Sequence, residues 1–342
     1  MDPTKLAVEK EPSEESGTHQ RPQRRILITG GAGFLGVNAA IHLIKEGWEV
    51  TVLDNLSRPG TERNLKWLIT RYPHRVTFVK EDVRNTSALG EHVKNQDAIL
   101  HLAGQVAVTT SLTDPLTDFE VNAFGTFNVL EAVRINNPEA PFLFSSTNKV
   151  YGKLDHNNGP CTESQPIDFH SPYGCSKGAA DQYVRDYARC FQMNTVVLRQ
   201  SCIYGAHQYG TEDQGWVAHF VHSILKDRPL TIFGDGKQVR DLLDARDLTA
   251  MYLLAIENVD KTRGEIFNVG GGPENQRNLL EVIDQIGELT GKKPQYSFAG
   301  WREGDQKYYV SDIAKAKNVL DWAPRVPFEE GLRDLIAWAE TI

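Results

Sequence analysis

Residues 25–36 read RILITGGAGFLG. An apolar run ends at Thr29, glycines stand at 30, 33 and 36, and a helical pattern, NAAIHLIKEG, follows. This is a strand running straight into a glycine-rich turn that opens a helix. Glycine at the first position permits the tight turn. At the second it lets a ligand's pyrophosphate approach the backbone, and at the third it lets helix and strand pack closely. The helix N-terminus, with Phe34 and Leu35 in its first turn, presents free N–H groups and a positive dipole end to phosphates. A glycine triad alone is weak evidence; its strand before and helix after strengthen it.

The rhythm continues outward. EVTVLD, VTFVKED, AILHLAG, PFLFSS and NTVVLRQ read as further strands, with helices such as VNAFGTFNVLEAVRIN and SKGAADQYVRDYARCF between them. The strands are apolar on both faces, as in a parallel sheet covered by helices on each side. The class is α/β, a doubly wound parallel sheet of the Rossmann kind with a smaller C-terminal substrate-binding lobe. Beyond residue 200, turns such as FGDGK and NVGGGPEN separate short strands from the helical patterns QRNLLEVIDQIGELTG and EEGLRDLIAWAETI. The expected division is 24–200, with returning segments at about 236–270, for the nucleotide-binding domain. The lobe then takes 201–235 and 271–342, and residues 1–23 form a polar leader or tag without fixed structure.

Bulk composition agrees. The 342 residues are 40% hydrophobic and 24% charged, ordinary for a globular protein. A net charge of -8 argues against a broad nucleic-acid surface. No run of 18 apolar residues suggests a membrane span. Cys161, Cys175, Cys190 and Cys202 form no CxxC pair and suit a reducing cytosol. His219 and His222 lie three apart on one helix face with no third ligand, so no metal is expected.

The second strand ends at Asp54, where a carboxylate can bond an adenosine ribose and repel a 2'-phosphate, favouring NAD over NADP. The same acid could simply cap the turn DNLSRPG, and Arg58 in that turn could accommodate the extra phosphate. Asn55 belongs to this end of the site. Asp82 and Val83, at the third strand end, could meet the adenine, although a solvated turn acid reads equally well. Leu102, Ala103 and Gly104 end the fourth strand with small residues that let backbone line the cofactor's middle.

Two further stretches carry chemistry. SSTNKVYG, 145–152, leaves the fifth strand, and SPYGCSK, 171–177, places Tyr173 and Lys177 four apart, on one helix face. A lysine ammonium beside a phenol favours the phenolate, so Tyr173 can act as a general base. The bland alternative is two surface residues on an amphipathic helix; position after a complete dinucleotide-binding unit argues against it.

GGAGFLG, Asp54, SSTNKVYG and YGCSK, in this order, resemble the extended short-chain dehydrogenase/reductases, the NAD-dependent sugar-nucleotide epimerase/dehydratase family. The likeness extends through FGDGKQVRDLLDARDL and WREGDQKYYVSDI, so it covers nearly all of the chain after the leader. It implies a tightly held NAD, Thr147 in the usual serine position bonding the reacting hydroxyl, Tyr173 as base and Lys177 as its partner. It also implies a homodimer built on long helices of the first domain, a cytoplasmic enzyme and a nucleotide-sugar substrate. Dehydratases of the family carry an Asp–Glu pair where Asn148 and Lys149 stand here, and an amide cannot protonate a leaving hydroxide as a carboxylic acid does. The reading is therefore an epimerase, most similar to the branch inverting C2 of a CDP-activated hexose, with the UDP-glucose 4-epimerases as rival. A non-catalytic NAD-binding regulator is the contrasting class, disfavoured by intact Tyr173 and Lys177. Arg240 and Arg302 are placed to fork onto a diphosphate, a geometry suited to guanidinium, with surface ion pairs as the alternative. Asp305 could bind the nucleotide ribose. Gln105, Asn148, Gln200, Ser201 and Gln214 complete the candidate substrate contacts, while Asn122 is read as a brace for the active-site loops.

Overall fold

The computed structural model describes residues 23–155, 157 and 159–342, so all of the expected leader but Gln23 lies outside the described residues. In strand β1 (Arg25–Thr29), Ile26 and Ile28 enter one apolar core and Leu27 enters another, which requires a sheet covered on both faces. The chain continues through α1 (Phe34–Lys45), β2 (Glu49–Asp54), α2 (Thr61–Arg71), β3 (Val76–Lys80), α3 (Thr86–Val93) and β4 (Ala98–His101). Short helices α4 (Val108–Thr113) and α5 (Pro115–Phe119) precede α6 (Gly125–Asn136), β5 (Phe142–Thr147), α7 (Pro172–Phe191) and β6 (Thr195–Gln200). The helical run expected from Val121 begins instead in a π turn, Glu120–Phe124, that widens the entry to α6.

The second half holds β7 (Cys202–Tyr204), α8 (Trp216–Leu225), β8 (Leu230–Phe233), β9 (Val239–Asp244), α9 (Ala245–Glu257), α10 (Val259–Thr262) and β10 (Ile266–Val269). It ends with β11 (Gln276–Asn278), α11 (Leu279–Thr290), β12 (Tyr296–Ala299), β13 (Tyr308–Tyr309), α12 (Ala314–Leu320) and α13 (Phe328–Ala339).

Seven parallel strands form the large sheet in the order β10-β6-β5-β4-β1-β2-β3. The order reverses between β1 and β4, so the loops after these two strands diverge and leave a crevice at their C-terminal ends. In the lobe, β9 pairs with β7, β11 and β13, while β8 pairs with β12. Helices α8, α11 and α13 cover that lobe's own core. Because β9 finds its partners in the small sheet, the chain returns to the large domain at α9, packed on α1, rather than near residue 236. Ala316, Leu320 and Trp322, from α12 and beyond, also join the large core, with Trp322 Nε1 donating to Asp247 O at 3.0 Å. No helix among the described residues is long and apolar enough to cross a membrane.

Candidate active site

The glycines at the end of β1 differ in what surrounds them. Gly30 has φ +68°, and a Cβ there would lie 2.7 Å from Ala103 N, so the turns after β1 and β4 touch backbone to backbone. A Cβ on Gly36 would lie 2.5 Å from Gly30 O, which is the close approach of helix to strand. At Gly33 only Gly30 O, at 3.2 Å, would be within 4 Å, and the rest of the space is open. Gly33 is the N-cap of α1, and that N-terminus has no side-chain cap and no acid in its first turn. Bare backbone, an uncapped helix end and open space together fit a dinucleotide pyrophosphate.

Asp54 is buried at the end of β2 and accepts hydrogen bonds from Ala32 N at 3.1 Å and Leu56 N at 2.8 Å. Burial pushes its carboxyl up, against those two bonds and the charge of Arg58. The capping role is thus real and leaves lone pairs for a ribose. Asn55 Nδ2 donates to Asp82 at 2.8 Å. Arg84 grips Asp82 through Nε at 3.0 Å and Nη2 at 2.9 Å, holding that carboxyl well below the usual range. Both Asp82 oxygens are therefore engaged in their own turn, and Val83 is buried against Gly125.

Beyond this crevice, between the two lobes, lies a cavity of about 340 Å³, within the range of small-molecule sites. Its wall brings together Phe34, Leu35, Leu102 and Gly104 with Thr147, Asn148, Tyr173 and Lys177. From the lobe side come Gln200, Ser201, Gln214, Arg240, Arg302 and Asp305. Gln105 is the exception. It does not line the cavity, because its Nε2 is held by Asp118 at 2.9 Å and Ala107 O at 2.8 Å.

Local sequence explains why Tyr173 stands where it does. Ser171 caps α7, accepting from Gly174 N at 3.1 Å, and Pro172 occupies the first helical position. The turn at Asn148–Tyr151 begins as Thr147 Oγ1 accepts from Lys149 N at 3.2 Å. Burial raises the Tyr173 phenol to about 12, opposed by a hydrogen bond with Thr147 and the charge of Arg58. Burial lowers Lys177 to about 7, opposed by Asp181 and Asp118. Lys177 Nζ donates to Ser145 O at 2.6 Å and lies 4.1 Å from the centre of the Phe144 ring. Arg58 also places positive charge near the phenol, and its Nη2 donates to Gln214 at 2.9 Å.

Several candidate substrate contacts already have protein partners. Gln200 Nε2 donates to Tyr252 Oη at 2.8 Å, and Ser201 Oγ donates to the carboxylate of buried Asp241. Arg240 donates to Val239 O at 2.8 Å and Gln306 O at 2.5 Å. Arg302 pairs with Glu212 at 2.5 Å and stacks 3.6 Å over Phe233. Asn122 does brace, donating to Gln105 O, Asp118 and Ser176.

Sequence reading missed two buried acids. Asp118 accepts from Ser176 Oγ at 2.5 Å, and no motif marked it. Asp181 pairs with Arg199 at 2.9 Å and accepts from Ser146 Oγ at 2.6 Å. Spacing could have found the latter, since 173, 177 and 181 repeat every four residues on one face of α7. Tyr151 belongs to this scaffold, donating to Asn268 at 2.7 Å. His219 lines the cavity and His222 meets Gln208 O at 3.0 Å. No group of three or more metal-ligating side chains occurs among the described residues.

The family described as GDP-mannose 4,6 dehydratase matches residues 27–335. A CDP-paratose 2-epimerase from Salmonella typhi is 44% identical over 340 residues, covering 93% of this chain and 100% of that protein. The structure of UDP-glucose 4-epimerase from Thermus thermophilus, in complex with NAD, aligns with a TM-score of 0.83 at 32% identity, covering 92% of this chain and 99% of that one. UDP-glucuronic acid 4-epimerase from Bacillus cereus, in complex with UDP-glucuronic acid and NAD, aligns with a TM-score of 0.84 at 30% identity, covering 93% and 99%.

Proposed function

The chain belongs to the GDP-mannose 4,6 dehydratase family, within the extended short-chain dehydrogenase/reductases, and from that premise we propose that it is an NAD-dependent epimerase acting at C2 of a CDP-activated hexose. The observation that carries the reading is the turn Thr147–Asn148–Lys149, which lines the cavity with Tyr173 and holds no carboxylic acid to drive dehydration. Likeness to CDP-paratose 2-epimerase over nearly the whole chain supports C2 and CDP over the rival C4 chemistry of UDP-glucose.

The Gly33 backbone and the α1 N-terminus hold the dinucleotide's pyrophosphate, and Asp54 holds its ribose. Bound NAD supplies the hydride acceptor and donor. Thr147 Oγ orients the C2 hydroxyl while Tyr173 Oη takes its proton. A phenol that burial raises to about 12 needs positive charge and hydrogen bonding to ionise near neutrality; Thr147 and Arg58 provide part of this. Lys177 adds its charge from one helical turn away. Arg240 and Arg302 keep the diphosphate while the 2-keto sugar presents its other face, and Tyr173 returns the proton.

Exposed Leu116, Phe119 and Tyr183, on α5 and α7, support a second copy of the chain as partner, and the free cysteines suit a reducing cytoplasm. The deciding experiment incubates the purified protein with CDP-hexoses in deuterated water without added NAD. Inversion at C2 without deuterium at that carbon is expected, because the hydrogen returns within the enzyme. Tyr173→Phe should lower turnover by roughly 10²- to 10⁴-fold while NAD stays bound. Inversion confined to C4 of UDP-glucose would replace the C2 assignment, and deuterium at C2 would remove the hydride mechanism.

A further inference from the structure

Lys149 is left without a task by the reading above, yet its placement is specific. Its backbone N–H is fixed by Thr147 Oγ1 at 3.2 Å, and its carbonyl accepts from Gly152 N at 3.3 Å. The same carbonyl closes against α7, since a Cβ on Gly174 would lie 3.1 Å from it. Both elements that carry the base and its hydroxyl partner therefore hold Lys149 in place. Its side chain enters the cavity wall, and its ammonium has no hydrogen bond or ion pair among the described residues.

Lys149 lines the cavity together with three groups of the lobe, Arg240 on β9, Asp305 in the loop before β13 and Cys202 on β7, whose charges act on its ammonium. Two cations, Lys149 and Arg240, thus line one cavity, and Asp305 is a carboxylate that acts on Lys149 there. Arg240 spends two of its five N–H donors on backbone carbonyls, which leaves three, and a second cation beside it would add to what an arriving dianion can meet. An ammonium supplies three.

We propose that Lys149 and Arg240 form a paired cationic clamp on the substrate's diphosphate. The proposal rests on the nucleotide-sugar reading and deepens it. Burial and the charge of Arg240 pull Lys149 down to about 8, so a bound diphosphate should draw a proton onto it.

The test titrates the full-length protein with CDP, CMP, cytidine and UDP, comparing the unaltered chain with Lys149→Met and Lys149→Arg. Lys149→Met should weaken CDP by about tenfold or more, change cytidine little, and weaken CMP less than CDP; Lys149→Arg should recover most of the loss. Calorimetry at about pH 8.5, in buffers of differing ionisation enthalpy, should show proton uptake with CDP that Lys149→Met reduces. Unchanged CDP affinity in Lys149→Met overturns the clamp, and if turnover of the sugar nucleotide then falls, the side chain works on the sugar instead. Equal weakening of cytidine and CDP also overturns it, since the loss would then not follow the phosphates. An unaltered chain that binds neither CDP nor UDP removes the nucleotide-sugar reading itself.

Discussion

His101, at the end of β4, is fully buried between two hydroxyls, with Nδ1 2.6 Å from Thr29 Oγ1 and Nε2 2.9 Å from Thr126 Oγ1. Burial, reinforced by the charge of Lys177, lowers it to about 3. Between that value and an unfolded value near 6.5, the unfolded chain binds a proton that the folded chain refuses. Stability should therefore fall as pH drops through this window, by at most about 1.4 kcal/mol per pH unit from this one group. Denaturation curves at several pH values between 7 and 4 test this. His101→Gln, which keeps a donor and an acceptor, should flatten the slope; an unchanged slope would show that His101 does not carry it. His207, lowered to about 4 by burial, should sustain part of the remainder. Tyr173 and Lys177 were legible as a pair because their spacing is local. That Lys177 bonds Ser145 O, and that Arg58 charges the phenol's surroundings, was not, because those partners come from other strand ends.

At the scale of elements, the turn from β1 to α1 was readable down to the tight turn at Gly30 and the close helix packing at Gly36, since strand, turn and helix are contiguous in sequence. This separates two substitutions of the same kind. Gly30→Ala forces a side chain into left-handed backbone and against Ala103, so it should cost about 1–3 kcal/mol or more and lower the melting temperature. Gly33 has φ -71°, which alanine tolerates, so Gly33→Ala should fold with little change yet lose NAD. Thermal melts and cofactor release on denaturation distinguish the two; a stable Gly30→Ala, or NAD retained by Gly33→Ala, would contradict the assignment. The π turn before α6 was not legible. It depends on buried Asp118 and Asn122 reaching Gln105 and Ser176, contacts between segments far apart in the chain.

For the whole molecule, the large sheet domain presents apolar side chains on α5 and α7 that its own core does not cover: Leu116 is 66% exposed, Phe119 55% and Tyr183 50%. If a second copy covers them, Phe119→Asp combined with Tyr183→Asp should shift sedimentation at micromolar concentration from dimer to monomer. The same variant should keep its fold, because neither ring is buried in the protomer. An unaltered chain that already sediments as a monomer would remove the dimer. The two lobes also meet across the cavity, where Arg58 reaches Gln214, and within the lobe Arg302 fastens the loop at Glu212.

By itself the sequence determined the doubly wound class, the glycine-rich turn between β1 and α1, the acid at the end of β2 and the placing of Tyr173 and Lys177 one turn apart on α7. Each depends on periodicity or on neighbours a few residues apart, which backbone geometry converts directly into position. Tertiary structure alone decided that Gln105 turns away to Asp118, that β9 stays in the lobe, and that Lys149 shares one cavity with Arg240, Asp305 and Cys202. Those outcomes depend on which loops pack together across the crevice and on how far burial moves each charge, and neither is written in local spacing.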